Sequence, residues 1–152
     1  MIVQARFVHT NIIAQDWRKL AQFYEQVFGC TSVPPERHLS GRWLEDATRV
    51  SGVEIEGVHL CLPGYGGRGP TLGIFQYNHQ QEPQETAINR PGFAHIAFAV
   101  NDVGAARDAV VAASGGVVGE LVSVDIPGAG TIAFVYATDP EGNVIELQHW
   151  SR

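Results

Sequence analysis

Apolar positions along the chain follow two different periods. Around His9 and around His95 they alternate with a period of two, as expected for strands with one buried face. The stretches that follow carry apolar residues three and four positions apart, which is typical of a helix packed on a sheet. The predicted helical stripes are Trp17, Leu20, Phe23, Tyr24, Val27 and Phe28, and then Val103, Ala106, Ala109, Val110 and Ala113.

These segments belong to an internal repeat. FVHTNIIAQD is matched by FAHIAFAVND, so that His9 corresponds to His95. The same offset pairs Asp16 with Asp102 and Gly29 with Gly115. Asp is a common helix N-cap, and Gly often takes the left-handed conformation at a helix end. Each copy therefore predicts a strand with a central His, followed by a capped helix.

Further strand-like segments follow each predicted helix. They lie near 30–33, 53–62 and 71–77 in the first copy, and near 117–122, 131–137 and 143–149 in the second. Each copy is thus a βαβββ module, and the fold class is α+β. We expect one domain, 1–152, made of a first module (1–79) with an insertion at 36–50, a linker (80–91) and a second module (92–152).

Composition narrows the classes of function. With 152 residues, 45% hydrophobic and 17% charged, the chain suits one globular domain. Its net charge is −6 and no Lys/Arg cluster stands out, which argues against a nucleic-acid partner. It has no membrane-length apolar run and no signal-peptide pattern, so we expect a cytoplasmic protein with no membrane partner. Cys30 and Cys61 are predicted to be reduced core thiols.

The two strand histidines point to a metal. Strand alternation places His9 and His95 on the face of each sheet that the helix leaves free, although the run around His9 otherwise indicates a buried strand. Glu146 lies between Ile145 and Leu147, where a carboxylate needs a partner. Two imidazoles and a carboxylate suit a divalent ion. The alternatives are histidines bonded to neighbouring carbonyls and a Glu146 that reaches water from an edge strand.

The chain resembles the vicinal oxygen chelate superfamily, which groups glyoxalase I, bleomycin-resistance proteins and extradiol dioxygenases. The matching stretches are VHTNIIAQDWRKLAQFYEQVFGC, GPTLGIFQY, NRPGFAHIAFAVNDV and ATDPEGNVIELQHW. The resemblance implies paired βαβββ modules that form a cupped mixed sheet, with one divalent metal (Fe, Mn, Ni or Zn) bound by His9, His95 and Glu146. It also implies a homodimer and a small oxygenated organic substrate.

One position departs from the family pattern. Many members with four ligands carry Glu or Gln on the last strand of the first module, where this chain has Gly73. The repeat shows the same gap, because Leu72-Gly73-Ile74 aligns with Ile145-Glu146-Leu147. Gln76 falls on the opposite strand face, so we discount it as a substitute. Three ligands would match the facial triad of non-haem Fe(II) oxygenases.

Two classes of enzyme remain open from the resemblance, an extradiol-type dioxygenase and a glyoxalase-like lyase or isomerase. Tyr136 and His59 are weak catalytic candidates by residue type alone, and His149 is predicted to point away from Glu146. The insertion is predicted to form a short helix or a lid, in which Arg42 and Trp43 are candidates for substrate binding. The alternative to an enzyme is a metal-free protein that binds a small molecule such as a bleomycin-type antibiotic.

Overall fold

A computed structural model describes residues 1–152 as two units, Met1–Glu82 and Pro83–Arg152. Each unit has its own helix-covered mixed sheet, which confirms the α+β class and the two βαβββ modules. The boundary lies inside the polar segment 80–91, which has no helix or strand. The organisation of both modules as one domain stays a prediction. None of the helices is long and apolar enough to cross a bilayer.

The first unit forms a four-stranded sheet in the order β1-β4-β3-β2. Strand β1 pairs in parallel with β4, and the other neighbours are antiparallel. The parallel pairing places Asn11 opposite Gly73, and the antiparallel pairing places His59 opposite the same glycine. The elements are β1 (His9–Ile13), α1 (Trp17–Phe28), β2 (Thr31–Ser40), α2 (Arg42–Thr48), β3 (Glu54–Cys61) and β4 (Thr71–Tyr77).

The second unit repeats this topology. Its sheet runs β5-β9-β8-β6, and β7 also pairs with β8. Strand β5 is parallel to β9, with Ala97 opposite Glu146, and the antiparallel β8 places Tyr136 opposite the same glutamate. The elements are β5 (His95–Ala99), α3 (Val103–Ala112), β6 (Gly116–Val117), β7 (Val122–Ile126), β8 (Gly130–Thr138) and β9 (Val144–Ser151).

Both predicted helix starts are confirmed, but only one predicted helix end is. Asp16 accepts a hydrogen bond from Lys19 N at 3.1 Å, and Asp102 accepts one from Ala105 N at 2.9 Å. Gly29 ends α1 in the left-handed conformation, with φ 70°. The prediction for Gly115 was wrong, because Ser114 takes the positive φ, at 72°. Gly115 is instead demanded by space, since a Cβ there would collide with the Thr138 carbonyl.

The helix-facing core differs in size between the units. In α1 the buried residues include two aromatic rings besides Trp17, whereas α3 buries only two valines. The buried residues of α1 are Trp17, Leu20, Ala21, Phe23 and Tyr24, and those of α3 are Val103 and Val110. The alanines predicted to line the buried side of α3 are less buried than predicted, and Ala109 is exposed.

The insertion, predicted as a short helix or a lid, contains the short helix α2. Residues 36–40 extend β2, and α2 follows at Arg42. Leu44 of α2 is buried in a cluster with Ile55 of β3 and Phe75 of β4. These two strand residues share a sheet face with His59 and Gly73, because strand residues two apart face the same way. The helix α2 therefore covers part of the sheet face that carries His59.

Candidate functional site

A histidine and a carboxylate meet on the helix-free face of the second sheet. His95 and Glu146 lie on the adjacent parallel strands β5 and β9. His95 Nε2 is 3.0 Å from Glu146 Oε2, and the two side chains retain 28% and 13% of their exposure. Two of the three predicted metal ligands thus converge, with their donor atoms facing each other.

The Glu146 carboxylate is held by a line of hydrogen bonds along β9. Gln148 Nε2 donates to Glu146 Oε1 at 3.3 Å, and Trp150 Nε1 donates to Gln148 Oε1 at 2.7 Å. All three side chains lie on one strand face, since they are two residues apart. Sequence reasoning missed Gln148 and Trp150, although their two-residue spacing from Glu146 was a usable signal. These hydrogen bonds hold Glu146 Oε1, while Glu146 Oε2 faces His95 Nε2.

Tyr136 lies beside this pair. Its ring centroid is 5.3 Å from that of His95, with the planes tilted by 59°. Tyr136 is directly opposite Glu146 in the β8–β9 ladder, so it shares the face of the glutamate. His149 occupies the other face, where Nδ1 is 2.9 Å from the Val100 carbonyl. The structure thus brings one weak catalytic candidate to the pair and, as predicted, turns His149 away.

The equivalent face of the first sheet holds a second aromatic pair. The ring centroids of His9 and His59 are 4.9 Å apart, with an interplanar angle of 65°. His59 Nδ1 is 3.0 Å from Thr71 Oγ1, and its ring also contacts Phe75 at 5.2 Å. Burial, followed by the nearby charges of His9 and Arg37, lowers the pKa of His59. This lowering favours the neutral form of the imidazole, which is the form that binds metals.

The environment of His9 corrects one expectation. The alternating pattern indicated a buried histidine, but His9 is exposed. The β1 residues that face the other way, Thr10 and Ile12, are only partly buried. Neither unit by itself gathers three or more His, Cys, Asp or Glu side chains as a metal site. His9 therefore stays a predicted ligand.

Gly73 lies close to side chains of the neighbouring strand β1 and of its own strand β4. A Cβ at this position would collide with Asn11 Oδ1 and would come within 2.8 Å of Phe75 Cε2. Asn11 was not predicted to matter, although strand alternation already places it on the same face as His9. The space that a larger residue would need at position 73 is thus taken by the Asn11 amide.

The two substrate-binding candidates lie at the start of α2. Arg42 Nε is 3.5 Å from Asp46 Oδ1, and its side chain is exposed. Trp43 is 58% exposed. Both belong to the helix that packs on the histidine-bearing face through Leu44. Their role in substrate binding stays a prediction.

A groove of about 220 Å³ lies elsewhere, between α1 and β2. Its wall includes Val58, the neighbour of His59 that points to the opposite face of the sheet. Arg18 and Glu36 cross the groove with two hydrogen bonds of 2.9 and 3.0 Å. Their mutual pairing raises the pKa of Arg18 and lowers the pKa of Glu36. The groove is therefore separate from the histidine pair.

Comparisons with known proteins agree with this architecture. The chain is 27% identical over 143 residues to a probable lactoylglutathione lyase of Vibrio parahaemolyticus serotype O3:K6, covering 93% of this chain and 88% of the relative. A glyoxalase family protein from Bacillus cereus has a similar structure, with a TM-score of 0.74 at 15% identity, over 100% of this chain and 97% of the other. The genomically encoded fosfomycin resistance protein of Listeria monocytogenes gives 0.57 at 16% identity, over 100% and 94%.

The family model for the Glyoxalase/Bleomycin resistance protein/Dioxygenase superfamily matches residues 6–147, which is nearly the whole chain. The predicted resemblance is thereby confirmed. The match includes the repeated βαβββ modules and both strand histidines, together with Glu146. The chain belongs to the Glyoxalase/Bleomycin resistance protein/Dioxygenase superfamily.

Proposed function

We propose that the protein is a divalent-metal-dependent enzyme that acts on a small oxygenated organic molecule. The observation that carries the proposal is the 3.0 Å approach of His95 Nε2 to Glu146 Oε2. Two ligands bound cis to one ion at about 2.0–2.2 Å each have donor atoms roughly 3 Å apart. The spacing of this pair therefore fits a metal between the imidazole and the carboxylate, without rearrangement of the strands.

The residues around the pair have separable tasks. Gln148 holds Glu146 Oε1, so the carboxylate keeps one oxygen for the ion, as supporting hydrogen bonds commonly do for metal ligands. Tyr136 packs against the His95 ring and limits its rotation. When bound, the metal supplies Lewis acidity that polarises a carbonyl or holds neighbouring oxygens of a substrate. His9 is the third ligand predicted from the repeat.

Within the enzyme class, a lyase or isomerase is the reaction type that we place first. The relative with 27% identity is a probable lactoylglutathione lyase, and it aligns with 93% of this chain. Gly73 favours the dioxygenase instead, because glycine has no side chain to serve as a fourth metal ligand. The remaining set, His9, His95 and Glu146, is the two-histidine, one-carboxylate pattern of non-haem Fe(II) oxygenases. Metal identity separates the two, since iron favours the oxygenase and nickel, manganese or zinc the lyase or isomerase.

A metal-free binding protein is the second candidate. His95 and Glu146 are close enough to satisfy each other without an ion, and neither unit alone gathers three donors. Such a protein would bind a small molecule, for example a bleomycin-type antibiotic. In either case we propose a homodimer in the cytoplasm, with no nucleic-acid or membrane partner.

The deciding experiment is the metal content of the purified protein, measured beside Glu146→Ala and the exposed control Glu120→Ala. We expect about one ion per chain in the parent and in the control, and loss of the ion in Glu146→Ala. Saturation at 100 times Kd should stabilise the parent by about 2.7 kcal/mol. That gain raises Tm by roughly 5–10 °C in a chain of this size.

The opposite result is equally clear. If the parent holds no ion after reconstitution with Fe(II), Mn(II), Ni(II) and Zn(II), and none of these shifts its Tm, the enzyme proposal fails. The same result favours the metal-free binding protein.

A further inference from the structure

The first unit has no carboxylate where the second unit has Glu146, but it has an imidazole beside the gap. The registers establish the equivalence, because Gly73 faces His59 across β3–β4 just as Glu146 faces Tyr136 across β8–β9. His59 therefore occupies the position of Tyr136 and stands directly over the residue that lacks a side chain. We propose that His59 is a metal ligand of the first unit beside His9, in place of a donor at position 73.

The spacing of the two rings supports shared binding of one ion. Two imidazoles bound cis at a metal–nitrogen distance of about 2.1 Å have ring centroids roughly 4.5–5.2 Å apart. The His9 and His59 centroids are 4.9 Å apart. Their interplanar angle of 65° leaves both rings free of face-to-face stacking. The pair can therefore receive an ion with small rotations about the side-chain bonds.

The second nitrogen of His59 is already engaged, as in many metal-binding histidines. Its Nδ1 is 3.0 Å from Thr71 Oγ1. When Nδ1 donates to that hydroxyl, Nε2 is unprotonated and is the nitrogen open to an ion. Contact with Phe75 fixes the ring further. The orientation that a ligand needs is thus provided by residues of β4.

Asn11 explains why a carboxylate is absent from position 73. Its side-chain oxygen lies where a Cβ of residue 73 would be, so any larger residue there must displace the amide. In the first unit, Asn11 of β1 occupies this space, and His59 of β3 is the side chain that can donate to a metal beside it. The expected ion is a borderline transition metal such as Ni(II), Cu(II), Co(II) or Zn(II), for which imidazole is a suitable ligand.

The inference rests on the proposed function, since it takes His9 as a ligand, and its test must separate the two. The probe is Cu(II) alone, titrated into the metal-free full chain. The variant is His59→Phe, which keeps an aromatic ring against Phe75 but removes both nitrogens. The matched control is His79→Phe at an exposed histidine. Electron paramagnetic resonance of the bound Cu(II) counts the coordinated imidazoles independently of any activity.

We expect His59→Phe to raise the Kd for Cu(II) by about 10–100-fold, at least the effect of losing a supporting residue of a metal site. The spectrum should lose one imidazole, while His79→Phe changes neither quantity. Thr71→Val should weaken binding in the same direction, because it releases Nδ1. Thermal unfolding of the metal-free variants checks that each one folds.

An unchanged Kd and an unchanged imidazole count in His59→Phe would overturn the inference. If Glu146→Ala still abolishes metal binding in that case, the proposed function stands and only the role of His59 is lost. If neither substitution affects binding, both proposals fail.

Discussion

The two units share one backbone plan but present different chemistry on the face that the helix leaves free. His9 and His95 occupy the same place on parallel strands, where they pair with Thr71 and Val144. Two residues further along the paired strand stands Gly73 in one unit and Glu146 in the other. Across the antiparallel neighbour, Gly73 faces His59 of β3, and Glu146 faces Tyr136 of β8. Main-chain hydrogen bonds hold the same register in both units, although the side chains at these positions differ. A duplicated sheet can therefore change a donor without changing the scaffold.

The largest expected difference between the units lies in their helix packing. Leu20 in α1 is 1% exposed, on a helix that also buries three aromatic side chains, whereas Val110 in α3 is fully buried on a helix that buries only one other residue, Val103. Leu20→Ala should cost about 2–5 kcal/mol of unfolding free energy. Val110→Ala removes fewer atoms and should cost about 2 kcal/mol. Denaturant unfolding of both variants measures the contrast, and equal losses would show that the two helices are held equally firmly.

Restoring a carboxylate in the first unit tests whether Asn11 enforces the gap. Gly73→Glu should destabilise the protein by about 1–3 kcal/mol, because it overpacks a filled space. Adding Asn11→Ala should recover most of that loss, whereas Asn11→Ala alone should have little effect. A double-mutant cycle from thermal or denaturant unfolding gives the coupling. Additive effects would mean that Asn11 does not hold the space.

A smaller effect should follow from loosening the second unit's carboxylate. Gln148→Ala removes the donor to Glu146 Oε1 and should weaken metal binding by about 10-fold. Trp150→Phe removes the next hydrogen bond in the line and should have a weaker effect in the same direction. Calorimetric titration with Ni(II) checks both, with the exposed Gln81→Ala as control. Equal affinity in Gln148→Ala and Gln81→Ala would contradict a supporting role for this network.

The smallest effect concerns an ion pair that only the first unit has. Arg18 and Glu36 join α1 to β2, while the repeat places Gly104, which has no side chain, at the position of Arg18 in α3. Glu36→Gln should therefore lower the free energy of unfolding only slightly, because both side chains of the Arg18–Glu36 pair are exposed.

The pH dependence of this pair has a definite sign. The Arg18 hydrogen bond lowers the pKa of Glu36, so its contribution is complete above the ordinary Glu pKa of 4.5 and is lost as pH falls through the folded value. The stability difference between parent and Glu36→Gln should be present at pH 7 and shrink as the pH falls below 4.5 through the lowered pKa of Glu36. A difference that does not change with pH would assign it to packing instead of charge.

The repeat in the sequence was enough to predict the modules and the orientation of the strand histidines. It could do so because hydrophobic periodicity and capping residues are local signals. It failed at Gly115, where the need for glycine comes from the carbonyl of Thr138 on a distant strand. The role of Asn11 also depends on its partner across the ladder, and one strand alone does not specify that register. The line from Glu146 to Trp150 lies within one strand, so its spacing was visible in the sequence, whereas its hydrogen bonds depend on the side-chain conformations.

The parallel pairing of β1 with β4 and of β5 with β9 has a consequence for folding. His9 pairs with Thr71 and His95 with Val144, so each pairing joins positions dozens of residues apart. The antiparallel hairpins β3–β4 and β8–β9 are far more local and need less loop closure. We therefore expect the hairpins to form first and the histidine strands to dock last. The donor groups of each unit then come together only in the final step of its folding, so we expect an incompletely folded chain to bind the proposed ion more weakly than the native protein does.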